Sequence, residues 1–374
     1  MNPKVSFVVP CYRYAHYLGN CLESILRQTF ADFEVLVMDD CSPDQTPEVV
    51  RAFAGDDRVR HVRNDVNLGL PGNFNRGLAL ARGEYLWGIS ADDALGSPLA
   101  LERFVAGLDG HPQAAFVFGP ARILRDDGLH GVHAPGWHGE RDRLFTGDEF
   151  PLLLARRNGV TAPAVLARTG CYRRHGGYPL DLPHAADWYM WSHFSLDGDV
   201  LYLAEPSVHY RLHSGNMSAT FEVSPAGVRN DATMLLRLAA TTRRLSRPAV
   251  AEVAEDTAVK LLAEALARKH AGESGACLDW PEINQLLSGI PAGDGFHTRL
   301  VSRIQAARRE AHLRLAEDHY SAGTLVLARS HYYQAMKLRP WRIAIPAKWV
   351  LSSMGQTGVR VRAAARSLRA RSNN

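Results

Sequence analysis

Between Lys4 and Ile89 the chain alternates short apolar runs with amphipathic stretches, and two of the apolar runs end in adjacent acids. Phe33 to Met38 runs into Asp39-Asp40, and Tyr85 to Ile89 reaches Asp92-Asp93 through Ser90-Ala91. A run of Tyr, Leu, Trp and Ile has the length and residue types of a strand covered on both faces, as in a parallel sheet. Further strands are expected at Lys4–Val9 and Arg58–Arg63. Tyr17, Leu18, Cys21, Leu22, Ile25 and Leu26 recur at helical spacing, and helices are also expected over Pro47–Phe53 and Pro71–Ala81. Such alternation implies an α/β fold with a doubly wound, mostly parallel sheet and right-handed crossovers.

Ligands of such sheets bind outside the carboxyl ends of the strands, where both acid pairs fall. Two hard oxygen donors there suit a divalent cation bridging to a phosphate. The same acids also suit helix caps, Asp92 or Asp93 for a helix starting near Pro98 and Asp39, Asp40 or Ser42 for the helix after them. Like charges at equivalent strand ends repel unless a cation or a set of donors joins them, so their recurrence favours a nucleotide and metal site.

The loop after the first strand, Pro10-Cys11-Tyr12-Arg13-Tyr14, contains neither a Gly-x-Gly-x-x-Gly turn nor a Gly-Lys-Ser/Thr loop. Hydride transfer and P-loop chemistry are thereby disfavoured. At 374 residues the chain is long for one core and suggests about two domains, while 46% hydrophobic and 22% charged residues allow a sizeable core. Residues 331–374 hold nine Lys and Arg and no Asp or Glu, so the net charge of +4 leaves −5 for residues 1–330. That basic tail, with Trp341, Ile343 and Trp349 among its cations, points to an anionic membrane surface or equally to a solvated helix face. No apolar run approaches a bilayer's width and none near the N-terminus suits a signal peptide, so a cytoplasmic protein is expected, peripheral at the inner face of the membrane. The five cysteines form no Cys-x-x-Cys pair and are expected to be reduced.

Five blocks in order carry a resemblance to a known family: Val8-Val9-Pro10-Cys11-Tyr12, Ser24 to Phe30, Val37 to Thr46, Asn67-Leu68-Gly69 and Ala81 to Tyr85. Together they resemble the successive motifs of family 2 glycosyltransferases, inverting enzymes of the GT-A fold, over roughly residues 3–215. The resemblance implies a donor site for a UDP-sugar containing Pro10, Tyr12, Asp39, Asp40, Asn67, Asp92 and Arg211. Tyr12 would stack on uracil and Asp39 would accept its imide hydrogen, which cytosine lacks. Asp92, Asp93 and His213 would hold a divalent cation, Mn²⁺ or Mg²⁺. Ser90 stands where relatives often have a further acid.

Gly176-Gly177-Tyr178 followed by Asp187 resembles the family's acceptor-side block, which makes Asp187 the general base, with Ala186 in place of the usual Glu. Tyr210-Arg211-Leu212-His213 resembles the Tyr-Arg-x-His segment that closes many bacterial catalytic domains. The implied partners are a UDP-sugar and a glycan or lipid-linked glycan acceptor for surface polysaccharide or glycolipid synthesis. Nucleic acid is not expected. Two rivals follow from the same residues: a non-catalytic sugar-nucleotide or glycan-binding protein, and a sugar nucleotidyltransferase, which the missing basic Gly-rich loop disfavours.

Strands are also expected at Ala115–Gly119 and Ala121–Arg125, and a loop at His130–Arg143, whose His130, His133 and His138 read as solvated. The expected domains are a catalytic unit over residues 1–220, a helical one over 221–336 and the tail over 337–374. Ala328 to Pro340 resembles the second helix of a tetratricopeptide repeat, without a clear second copy.

Overall fold

The computed structural model describes residues 2–133, 139–216, 221, 224–291 and 295–338. His138 and most of the expected basic tail lie outside the described residues. Two compact units divide the chain: Met1–Asn216 with Thr242–Val253, and Met217–Thr241 with Ala254–Asn374.

The first unit is built on an eight-stranded sheet in the order β3-β2-β1-β4-β10-β6-β11-β9. Its first half is parallel: β1 (Val5–Cys11) runs beside β2 (Phe33–Asp39) and β4 (Tyr85–Gly88), and β3 (Val59–Arg63) flanks β2. Every residue of β1 and β2 is buried, as expected of strands covered on both faces. Trp87 stacks between Phe7 and Phe104, with ring centroids 5.6 and 4.7 Å away, and its indole N–H donates to Pro163 O at 2.7 Å. Glu34, a buried carboxylate near the start of β2, is neutralised by Arg82 at 2.7 Å and accepts from Ser6 Oγ.

Helices α1 (Ala15–Leu26), α2 (Thr46–Arg51), α3 (Gly69–Leu80) and α4 (Ala100–Gly110) follow the strands and the two-residue strand β5 (Ala94–Leu95). Beyond β4 the sheet is mixed. β10 (Val165–Arg168) lies antiparallel between β4 and β6 (Ala114–Phe118); β11 (Asp199–Tyr202) runs parallel to β6 and antiparallel to the edge strand β9 (Arg143–Phe145). Helices α5 (Glu149–Leu154), α6 (Thr169–Arg174) and α7 (Ala186–Asp197) belong to this half, where Phe116 packs on Phe150, Trp191 and Phe194.

A second sheet, β5-β12-β7-β8, combines β5 with β12 (Val208–Arg211), β7 (Ala121–Arg125) and β8 (Gly128–His133). The expected strands at 115–119 and 121–125 are present but belong to different sheets. The expected loop over 130–143 is corrected at its start: residues up to His133 continue β8, which pairs antiparallel with β7 around the turn at Asp126-Asp127-Gly128. Both faces of β8 are exposed, so no hydrophobic alternation marked it.

From Pro225 the described chain is helical: α8 (Pro225–Arg244), α9 (Pro248–Ala271), α10 (Trp280–Ser288), α11 (Phe296–Ser321) and α12 (Leu325–Leu338). Asp279 and Glu282 form a reciprocal capping box at the start of α10. α11 and α12 form a hairpin turned at Gly323 (φ 80°), in which Ala316, Ala328 and Ala335 leave room for the rings of Tyr320 and Tyr332. Among the described residues no helix is long and apolar enough to cross a membrane. All five cysteines are free thiols, four of them buried.

Candidate active site

Strand register brings together residues that the sequence separates. Asp39 ends β2 directly opposite Cys11 of β1 and Arg63 of β3. Its carboxylate, fully buried, accepts from Ser42 N at 2.8 Å, from Arg63 Nη1 at 2.5 Å and lies 3.2 Å from His61 Nε2. A carboxylate has about four acceptor positions, so one remains for a ligand. Asp40, also buried, accepts from Asn64 Nδ2 at 2.6 Å and Leu68 N at 2.8 Å and thereby fixes the loop carrying Asn67. Asn67 is exposed, its Oδ1 taking Gly69 N.

Tyr12 follows β1 and is 38% exposed, with the Arg13 guanidinium 5.2 Å from its ring. The backbone at Arg13 is left-handed (φ 62°), and its N–H donates to Ser42 Oγ. Asp44 ties the two loops together: it accepts from Ala15 N, Ser42 Oγ and Thr46 Oγ1, which hold its carboxyl at about 2 against the partial burial that opposes them. The capping alternative for Asp39, Asp40 and Ser42 fails, because α2 starts behind Gln45 with no side-chain cap, and the acid that accepts from its first residue, Thr46 N, is Asp44.

Asp92 and Asp93 follow β4 and are also not caps: α4 starts at Ala100 with Leu99 before it and no side-chain acceptor. The antiparallel pairing of Val208 with Leu95 and His209 with Ala94 carries the segment after β12 onto the acids. Asp93 Oδ1 accepts from Arg211 N at 2.9 Å, and Asp92 O accepts from Arg211 Nε at 2.8 Å. Burial and the adjacent Asp92 charge push the Asp93 carboxyl well above the usual carboxylate range. Asp92 Oδ2 faces His213 Nε2 at 3.1 Å, whereas Asp92 Oδ1 is buried without a hydrogen-bond partner. An orphaned buried carboxylate oxygen beside an imidazole nitrogen fits a divalent cation of the kind the sequence implied.

Two aromatic residues at the start of α1, Tyr14 before its first residue and Tyr17 in its first turn, hold the segment in place. Tyr14 meets the His213 ring edge-on at 5.5 Å, and Tyr17 lies 5.3 Å from His213 and 4.4 Å from the Arg211 guanidinium.

Asp187 lies in the first turn of α7, half-buried. Burial pushes its carboxyl up to about 6, against hydrogen bonds from Trp188 N at 2.6 Å and Asn158 Nδ2 at 3.5 Å. The Gly176-Gly177 turn is left-handed at both residues (φ 76° and 81°) and docks on α3: Asn75 accepts from Tyr178 N at 2.7 Å and donates to Tyr178 O at 2.8 Å, while Phe74 stacks on Tyr178 at 4.3 Å.

The profile described as glycosyl transferase family 2 matches residues 6–151. A PGL/p-HBAD biosynthesis glycosyltransferase of Mycobacterium tuberculosis is 32% identical over 189 residues, which are 50% of this chain and 67% of that protein. The chain is a member of glycosyltransferase family 2. An uncharacterized protein of the same species is 31% identical over 216 residues, 56% of this chain, and the chain spans only 59% of that relative's length. Among solved structures, S. aureus TarS in complex with UDP-GlcNAc superposes with a TM-score of 0.59 over 91% of this chain and 93% of that one, at 18% identity. That likeness shows the fold, GT-A with a helical region after it.

Several residues of this family 2 site were not singled out from sequence. Arg63 and His61 sit at the end of a half-exposed strand and only the register of β3 with β2 brings them to Asp39. Tyr14 and Tyr17 read as ordinary loop and helix-face residues. Asn158 lies in an irregular stretch with no periodic signal.

Proposed function

We propose that the protein is an inverting, metal-dependent glycosyltransferase that transfers a sugar from a UDP-sugar to an acceptor hydroxyl of a surface polysaccharide or glycolipid. The observation that carries this reading is the buried, unpartnered Asp92 Oδ1 next to His213 at the carboxyl end of β4. A protein that bound glycan alone would have no use for such an oxygen. TarS supplies the donor class, since its solved complexes hold UDP-GlcNAc and UDP.

In this reading Tyr12 stacks on the base and Asp39, held by Arg63 and Ser42 N, accepts its imide hydrogen at the remaining position. Pro10 and Asn67 border the nucleotide, with Asp40 setting the loop of Asn67. Asp92, Asp93 and His213 would hold Mn²⁺ or Mg²⁺, Asp93 also accepting from Arg211 N and so anchoring the segment that presents His213. When bound, the cation neutralises charge on the diphosphate of the departing nucleotide. Arg211 adds a positive charge beside it.

Asp187 takes the proton of the acceptor hydroxyl as it attacks the anomeric carbon from the face opposite the leaving group. A base whose carboxyl titrates near 6 is ionised at neutral pH yet basic enough to take up that proton. Inversion follows from a single displacement and needs no covalent glycosyl-enzyme. Peripheral attachment at the membrane's inner face through the basic tail belongs to the same proposal and places the enzyme beside lipid-linked acceptors.

UDP release from a panel of UDP-sugars with Mn²⁺ or Mg²⁺ tests the reading. Metal-dependent release that is lost in Asp92→Asn and reduced in Asp187→Asn supports it. Binding of UDP with no turnover of any donor, even with crude glycan or lipid acceptors, would instead identify a binding protein, and release of pyrophosphate a nucleotidyltransferase.

A further inference from the structure

The helical unit carries a cluster of titratable side chains that the reaction above does not use. Glu273 follows the left-handed turn at Gly272 (φ 81°) that ends α9, His319 lies in the last turn of α11 and His331 in the middle of α12. One nitrogen from each imidazole and one Glu273 oxygen all lie within 4.8 Å of one another. His331 Nε2 contacts Glu273 Oε1, and His319 Nε2 stands 3.3 Å from the same oxygen. His331 is fully buried and the Glu273 side chain is 8% exposed.

Hydrogen bonds behind the rings select the tautomer of His319 and allow the matching one for His331. Thr324 Oγ1 lies 3.0 Å from His319 O and 2.8 Å from His319 Nδ1. A hydroxyl has one hydrogen, and a carbonyl oxygen can only accept it. Thr324 therefore accepts from His319 Nδ1–H, the tautomer in which a neutral ring presents its Nε2 lone pair to Glu273. On the other ring, His331 Nδ1 is 2.9 Å from His312 Nδ1, so His331 Nδ1–H can be held in the same way and its Nε2 left free. In these tautomers two imidazole lone pairs face Glu273 Oε1, an arrangement that a cation between them would satisfy, while the Arg268 guanidinium stands 4.0 Å from the other oxygen, Glu273 Oε2.

We propose that Glu273, His319 and His331 form a site for a divalent transition-metal ion of the zinc type, which clasps the α11–α12 hairpin to the end of α9. The donor set is two imidazoles and one carboxylate, with a fourth tetrahedral position left for water. The 3.3 Å between His319 Nε2 and Glu273 Oε1 equals the span of about 3.3 Å between two tetrahedral ligands at zinc's usual bond lengths. Thr324 and His312 are the outer partners that orient such ligands in known metal sites. Two imidazoles to one carboxylate distinguish the site from the Asp92 site, where acids outnumber the single imidazole His213 and Mn²⁺ or Mg²⁺ is the better match.

The test uses the full chain, stripped with a chelator and titrated separately with Zn²⁺ and with Co²⁺. Expected are one tightly bound Zn²⁺ per chain by elemental analysis, a higher melting temperature on zinc addition, and visible Co²⁺ bands of tetrahedral intensity. His319→Ala and Glu273→Gln should weaken zinc binding by about 100-fold or more, and the surface change Thr324→Val by about 10-fold. Asp92→Asn should leave this zinc equivalent intact, which separates failure here from failure of the catalytic reading. The proposal is overturned if the folded wild-type chain binds no zinc, leaving a hydrogen-bonded His–Glu cluster. It is equally overturned if His319→Ala and Glu273→Gln still bind, or if Asp92→Asn abolishes the binding.

Discussion

His213 Nε2 lies 3.1 Å from Asp92 Oδ2 across 121 residues of chain, and the pairing of β12 with the two-residue strand β5 is what brings them there. The opposite oxygen, Asp92 Oδ1, is buried and unpartnered. A buried carboxylate oxygen in that state costs stability that a bound ligand would recover. Asp92→Asn is therefore expected to abolish metal-dependent UDP release, by about 100-fold or more, while leaving the melting temperature in chelator unchanged or raised. Paired activity assays and thermal melts check this; a variant that melts much lower in chelator would show that Asp92 is structural.

Activity and stability should both depend on pH through Asp187. Its carboxyl is raised from 3.8 to about 6, so the base is protonated and inactive at low pH. kcat/KM should fall about tenfold per pH unit below about 6, and Asp187→Asn should lower the rate by about 10² to 10⁴ and remove that acid limb. For stability, a raised acid favours the folded chain below its unfolded value and loses that contribution as pH rises through about 6. Asp187→Asn should therefore be no less stable than the wild type at pH 8, measured by denaturant unfolding.

How much of this was legible in the sequence depends on the range of the interaction that decides each feature. The parallel half was readable because β1, β2 and β4 are buried apolar runs and two of them, β2 and β4, lead into paired acids. The antiparallel β10 was not, since Val165–Arg168 is four residues long and its place between β4 and β6 is fixed only by pairing, Leu166 standing opposite Trp87 and Val117, 79 and 49 residues away. Asp39, Asp92 and Asp187 stood out by motif. Arg63, Tyr14 and Tyr17 did not, because a cation on a half-exposed strand and tyrosines on a helix carry no local sign of what register and docking will place beside them. β8 was hidden by exposure on both faces, although Asp127-Gly128 is a hairpin turn signal that could have revealed it.

The paired glycines before Tyr178 should respond unequally. Both have left-handed backbones, so alanine is strained at either by about 1 kcal/mol. A Cβ on Gly176 meets nothing within 4 Å, whereas one on Gly177 would stand 2.4 Å from Asn75 Oδ1, the atom that accepts Tyr178 N. Gly177→Ala is expected to cost about 3 kcal/mol and Gly176→Ala about 1 kcal/mol, since only the former also forces the Asn75 amide off the turn. Urea denaturation of the two variants separates them, and equal costs would mean that the turn does not dock on α3.

Tyr17 offers a test of positioning without touching a proposed ligand. Its ring packs on His213 at 5.3 Å and under the Arg211 guanidinium at 4.4 Å, so it fixes the two side chains that complete the Asp92 site. A cation–π contact of this kind contributes about 0.5 to 2 kcal/mol, enough to hold a terminal segment in one arrangement but not to decide whether the domain folds. Tyr17→Leu keeps the apolar bulk on α1 and removes the π face. Its expected effect is a rise of about tenfold in the Mn²⁺ concentration giving half-maximal UDP release, as for other outer partners of metal ligands, with the rate at saturating metal within about twofold of wild type. A fall in the saturated rate with no change in metal requirement would place Tyr17 against the nucleotide instead, because only a group that orients His213 acts through the cation alone.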